Sequence, residues 1–297
     1  MYAAKVMFFS IKHLSLYKKN MMSKKVHLIF AFCLLAFLPL NAQKSYDEWV
    51  SLSFDYIDQD SLSLAEDALH RALKLQPAHP SNGLLLSNLG TIQRRLGKFK
   101  EADISYSAAL SLLPDNENLL RNRASLYAEM ELWEKAMLDY TELLAHKPSD
   151  EDARYERAMI KLVLQDTIGA RGDLEMIDKY NPKSAKARLG MAYVYKAQRE
   201  YALAAELYDA LLKYNPQNAQ LYFLRAEVYF LSGRMAAALS DVNKSIELNN
   251  RDAVAYLLRA RIRLVKGDSE FAERDINRAL DLGLNPNMVD DLIKNRR

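Results

Sequence analysis

Residues 117–150 read ENLLRNRASLYAEMELWEKAMLDYTELLAHKPSD, and residues 151–184 read EDARYERAMIKLVLQDTIGARGDLEMIDKYNPKS. Laid over one another, the two stretches place Ala124 on Ala158, Ala136 on Ala170, Arg123 on Arg157, Asp139 on Asp173 and Pro148 on Pro182. The register extends in both directions. An alanine recurs at Ala65, Ala102, Ala136, Ala170, Ala204, Ala238 and Ala272, spaced 37 residues once and then 34 five times. Pro77, Pro114, Pro148, Pro182 and Pro216 keep the same steps. A fixed period of this size marks a repeat architecture, in which each unit buries its apolar face against its neighbours.

Within the unit, position 8 is always small: Ser53, Gly90, Ala124, Ala158, Ala192, Ala226 and Ala260. Position 24 is always large and apolar: Leu69, Tyr106, Tyr140, Leu174, Tyr208, Val242 and Ile276. Small residues at 8 and 20 let two helices approach closely, and the large residue at 24 fills the gap to the next layer. Proline at 32 ends the second helix, because it lacks an N–H and disfavours a helical residue before it. Apolar residues in each half follow the roughly 3.6-residue helical period.

This pattern resembles the tetratricopeptide repeat, a 34-residue helix–turn–helix unit. Trp49, Leu52, Tyr56, Ala65, Leu69, Ala72 and Pro77 fall on the family's marker positions 4, 7, 11, 20, 24, 27 and 32. The copies run 46–79, 83–116, 117–150, 151–184, 185–218, 219–252 and 253–284, together spanning a 43–284 repeat region. The resemblance implies an all-α, right-handed superhelical solenoid of seven units. Departures are mild: Asn250 and Leu284 replace proline, and Gln93, Lys161 and Arg263 replace tyrosine at position 11. Pro80-Ser81-Asn82 is an insertion between the first two copies. Gly283 reads as a C-cap, and Asn285-Pro286 opens a capping helix over 285–297 with Met288, Val289, Leu292 and Ile293 as its apolar stripe.

One covariation inside the chain carries contact information. Position 7 is Arg123, Arg157, Arg225 and Arg259 in four repeats, and position 23 is then Asp139, Asp173, Asp241 and Asp275. In the other three, position 7 is Leu52, Leu89 or Met191, and position 23 is Ala68, Ser105 or Leu207. Residues that switch together are expected to touch. We therefore expect a structural salt bridge between the two helices of each of those four repeats, with the planar arginine fork binding its carboxylate bidentately.

The chain has 297 residues and is half hydrophobic, enough for a sizeable core. Its single cysteine, Cys33, excludes a disulfide framework. The formal charge of +3 is misleading, because residues 1–42 hold six lysines and no acid; the remainder has 35 basic against 38 acidic residues. A mildly acidic body argues against nucleic acid as partner. Lys24-Lys25, the apolar run from Val26 to Leu40 and Ala42 read as a signal peptide within 1–42, cleaved before Gln43, with an uncleaved signal anchor as the competing reading. The protein is thus expected to be exported, periplasmic or secreted, with no stable membrane span after cleavage. Met21 or Met22 reads as the natural start, with 1–20 an extension.

His70, His79 and His146 lack ligand spacing, and no nucleophile, phosphate-loop or dinucleotide motif is present. Neither catalysis, metal nor cofactor is expected. Asp60-Ser61-Leu62 and Asp166-Thr167-Ile168 resemble an O-glycosylation sequon of Gram-negative envelope proteins, which marks Ser61 and Thr167. The resemblance also implies a concave groove lined by helix-A positions 2, 5, 9 and 12. Here that means Arg121, with Asn88 and Asn122 at position 6, in a polar half. Tyr155, Leu189, Tyr193, Phe223, Phe230, Leu257 and Leu264 form an apolar half. The expected function is a scaffold or adaptor that binds a protein or peptide segment in that groove. The alternatives are a self-assembling structural protein and a peptide- or glycan-capturing module.

Overall fold

The computed structural model describes residues 44–289. The expected signal peptide and alternative start lie outside the described residues, as does the cap helix from residue 290 onward. Among the described residues there are fourteen α-helices and no strand. They pair as α1 (Tyr46–Asp58) with α2 (Leu62–Leu75), α3 (Asn82–Arg95) with α4 (Phe99–Leu112), and α5 (Glu117–Glu129) with α6 (Trp133–His146). Next come α7 (Glu151–Val163) with α8 (Thr167–Tyr180), α9 (Ala185–Ala197) with α10 (Tyr201–Tyr214), α11 (Ala219–Leu231) with α12 (Met235–Leu248), and α13 (Ala253–Val265) with α14 (Ser269–Asp281). Odd-numbered helices are the A helices of the repeats and even-numbered ones the B helices.

The chain divides at His79–Pro80, where the insertion begins. The first unit is the α1–α2 hairpin. The second, α3 to α14, is a superhelical solenoid of six hairpins. In it, A helices of successive repeats touch at α3 with α5, α7 with α9 and α11 with α13, whereas contacts between successive B helices are sparse. The A helices therefore line the inner side of the curve.

Local chemistry fixes each hairpin's limits. Asn116, Asp150, Ser184, Asn218 and Asp252, all at position 34 of the preceding repeat, accept a backbone N–H from the first turn of the A helix that follows. Ser45 caps α1 with Glu48 in a reciprocal capping box. Each such cap stabilises its helix by about 1 kcal/mol. The A–B turn needs one residue in the left-handed region, always at position 15: Asp60, Gly97, Glu131, Gln165, Arg199, Gly233 and Gly267.

The core follows positions 8, 20 and 24. All seven alanines at position 20 are fully buried, and every residue at position 8 is buried. A Cβ placed on Gly90 would stand 2.8 Å from the ring of Tyr106, so a side chain there must displace the ring. Tyr106, Tyr140, Tyr208, Leu69 and Leu174 at position 24 are among the most deeply buried large side chains. Each contributes about 2–3 kcal/mol relative to exposure. At the C-terminal end, Leu284 and Val289 join Leu257, Ala260, Ala272 and Ile276 in one cluster. Gly283 turns the chain there with φ 91°, and Met288 and Val289 start a helical turn on Asn285 and Pro286.

The left-handed turn residue sets a stability prediction. Gly267→Ala, at φ 85° with open space around its Cβ, is expected to cost about 1 kcal/mol. Arg199→Gly, at φ 61°, is expected to gain about 0.5 kcal/mol. Urea unfolding of both variants checks the two signs.

Candidate functional site

Two side-chain arrays run across the second unit, one of paired charges between layers and one along the A helices. In the first, Arg123 donates from Nε and Nη2 to Asp139 at 2.8 and 2.7 Å, and Arg157 to Asp173 at 2.9 and 2.5 Å. Arg225 does the same to Asp241 at 2.7 and 2.8 Å, and Arg259 to Asp275 at 2.9 and 2.7 Å. Each arginine also uses Nη1 to reach position 25 of the preceding repeat. The acceptors are Ser107, Thr141, Asp209 and Asn243, at 2.5–3.1 Å. Every rung thus ties two helices of its own repeat to the layer before it.

The departures at position 11 belong to this ladder. Lys161 and Arg263 are second cations on Asp173 and Asp275, at 2.8 and 2.7 Å. Gln93 accepts from Ser105 at 2.7 Å where the Arg–Asp pair is missing. Where tyrosine is retained, Tyr127 and Tyr229 face the guanidinium of Arg123 and Arg225. Burial works to raise the Asp173 carboxyl, yet hydrogen bonds from Arg157 and Lys161 hold it below the ordinary aspartate value of 3.8.

The second array is the inner face. In its N-terminal part, Arg94 forms a bidentate pair with Glu129 at 2.8 and 2.6 Å. Arg121 donates to Asp150, the cap of α7, at 2.5 Å. Asn88 and Asn122 are half-buried beside these pairs. In the C-terminal part, Leu189, Tyr193 and Phe223 pack half-buried against the α9–α11 core, and Tyr155 lies against the core of repeat four. Two ion pairs border this patch, Lys186 with Asp152 and Lys196 with Glu227 at 2.6 Å, while the Glu156 carboxylate beside Tyr155 makes no such pair among the described residues. Burial, with Tyr193 nearby, pushes the Tyr155 phenol up to about 12. Burial also raises Tyr193.

Beneath this patch lies Tyr208. Its counterparts have hydroxyl partners at position 9, Tyr106 with Thr91 at 3.0 Å and Tyr140 with Ser125 at 3.2 Å. In repeat five, position 9 is Tyr193. The Tyr208 hydroxyl, in a side chain 0% exposed, has no hydrogen-bond partner. Burial, then the proximity of Tyr193, Glu227 and Tyr155, raises its pKa. The position-24 pattern marks Tyr208 as core, and only the failure of position 9 to supply a small hydroxyl sets it apart.

The remaining expected groove residues divide. Phe230 is half-buried against the repeat-six core. Leu257, 2% exposed, is a core residue and no part of an open surface, because Leu284 and Val289 close over the last repeat. Leu264 packs at the edge of that cluster. Ser61 begins α2 without using its hydroxyl as a cap, and Thr167, at the start of α8, accepts from Gln198 at 3.4 Å. Among the described residues, no group of His, Cys, Asp and Glu could hold a metal ion, and no helix is long and apolar enough to cross a membrane.

Comparison with known proteins follows the same geometry. Two tetratricopeptide repeat family patterns match the chain, one over residues 189–253 and the other over 85–116. A tetratricopeptide repeat protein from Parabacteroides merdae is 38% identical, with 85% of this chain and 98% of that one covered and a TM-score of 0.77. The Cut9–Hcn1 structure, from an APC/C hetero-tetramer, is 18% identical over 88% of this chain and 50% of that one, at a TM-score of 0.63. PilW, a type IV pilus biogenesis factor, is 20% identical over 65% of this chain and 90% of that one, at 0.58. No curated protein matches the sequence.

Three stability outcomes follow from these arrays. Asp139→Ala leaves the Arg123 guanidinium without its carboxylate and should cost about 3 kcal/mol. Tyr140→Phe should lower stability by about 1 kcal/mol through loss of its bond to Ser125, whereas Tyr208→Phe should raise it, because a buried hydroxyl without a partner is removed. Asp173 has a depressed folded-state pKa, so its contribution is present above the unfolded value of 3.8 and lost as pH falls through the folded value. Asp173→Asn should therefore flatten the stability–pH curve below about pH 4. Denaturation midpoints across pH measure all three.

Proposed function

The chain belongs to the tetratricopeptide repeat family, and on that premise we propose that it is a non-enzymatic scaffold of the bacterial cell envelope whose inner face holds a partner polypeptide. Proteins of this fold generally mediate protein–protein interaction. The observation that carries the finer reading is the aromatic patch of Tyr155, Tyr193 and Phe223, set over the buried hydroxyl of Tyr208 and bordered by two ion pairs and the Glu156 carboxylate. Such a surface favours an apolar segment without negative charge. Its aromatic side chains would act as anchors, and a peptide unit of the partner would supply the hydrogen bond that Tyr208 lacks. Reaching that hydroxyl requires the half-buried ring of Tyr193 to turn aside. The envelope location rests on the basic and apolar character of residues 24–42.

Affinity capture from an envelope extract, with the full chain as bait, tests this. A parallel bait carries Tyr193→Glu and Phe223→Glu and is checked by circular dichroism for folding. We expect a partner held by the first bait and lost from the second. Equal capture by both baits would remove the inner face from the account. Concentration-dependent mass of the chain alone, with no partner captured, would favour self-assembly.

A further inference from the structure

The Arg–Asp ladder lacks a rung between repeats four and five. Position 7 of repeat five is Met191 and position 23 is Leu207, so the chain supplies neither the guanidinium nor its carboxylate. A cleft of about 270 Å³ lies there, walled by Leu174, Ala187, Arg188, Met191, Tyr195 and Leu207. Two carboxylates, Glu175 and Asp178, stand at its edge.

Glu175 occupies position 25 of repeat four. At the four intact rungs, position 25 of the preceding repeat accepts a hydrogen bond from the arginine's Nη1. Among the described residues, the carboxylate of Glu175 has no hydrogen bond or ion pair, and neither has Asp178. Arg188, which itself lines the cleft, donates to the Pro182 carbonyl at 3.2 Å, and Arg171 donates to Gln198 while lying over Tyr195. The site thus keeps the acceptor of a rung and an apolar channel for a long side chain, without the side chain itself.

We propose that this cleft receives an arginine side chain of a partner polypeptide, which completes the ladder in trans. The methylene stem lies between Met191 and Leu207, and the guanidinium donates to Glu175, with Asp178 adding charge. The planar fork and aliphatic stem of arginine fit that combination better than a lysine ammonium, which is a compact and more strongly hydrated charge. The cleft is built from α8, α9 and α10 and does not use the aromatic patch, so this site stands or falls independently of the inner-face reading.

The test uses the full chain with ¹³C-methyl methionine and three probes: N-acetyl-arginine methylamide and its lysine and leucine counterparts. Met191→Leu identifies the Met191 methyl resonance. The arginine amide should shift that resonance saturably, the lysine amide should bind several-fold more weakly, and the leucine amide should leave it in place. Glu175→Gln should weaken the arginine amide about fivefold, the size expected for one solvent-facing ion pair. Met191→Arg/Leu207→Asp installs the missing rung from within the chain. It should abolish saturation transfer to the arginine amide and melt no lower than the parent. Equal response to the leucine amide, unchanged affinity in Glu175→Gln, or transfer persisting in a folded double variant would each overturn the proposal. If the double variant does not fold, the Glu175→Gln result decides.

Discussion

The structure depends on how closely two helices of one repeat can approach. Position 20 is alanine in all seven copies and position 8 is always glycine, alanine or serine, so the A and B backbones come near enough for position 24 to fill the space between layers. Gly90 against Tyr106 shows how little room remains. A close-packed interior of this kind tolerates few changes of volume, which is why the seven copies vary freely elsewhere and scarcely at all here. In the second unit the left-handed residue at position 15 turns each A helix into its B helix, and the cap at position 34 starts the A helix that follows.

On that frame the polar residues do different work in different repeats. Four arginines each join their own layer to the one before it, through a carboxylate in their own repeat and an acceptor in the preceding one. Those groups satisfy one another and leave little to offer a ligand. Function is better sought where the pattern lapses. Tyr208 keeps the core position of Tyr106 and Tyr140 but has lost the small hydroxyl that served them. Met191 and Leu207 keep positions 7 and 23 but remove the charges, while Glu175 remains. Both lapses fall in repeat five, one towards the inner face and one in the cleft against repeat four.

Much of this was legible in the sequence, because a repeat protein carries its own comparison. Seven copies in one register reveal the hairpins and the small and large core positions. The joint switching of Arg at 7 with Asp at 23 identifies a contact. The third member of each rung was not legible. It sits in the preceding repeat and varies among Ser107, Thr141, Asp209 and Asn243, so no single residue type marks it. The cations Lys161 and Arg263 read as departures from tyrosine, although each strengthens a carboxylate already paired. Leu257 reads as a groove residue by its position. It is core because Leu284 and Val289 pack over it. The cleft beside Met191 was hidden because its acceptor belongs to one repeat and its missing donor to the next.

We propose that the partner lies along the A helices of repeats four to six. Amide hydrogen exchange of the full chain, alone and with its captured partner, reads this out. Added protection is expected in α7, α9 and α11, strongest in the segments holding Tyr155, Tyr193 and Phe223. Protection confined to the B helices α8, α10 and α12, with the A helices unchanged, would contradict it.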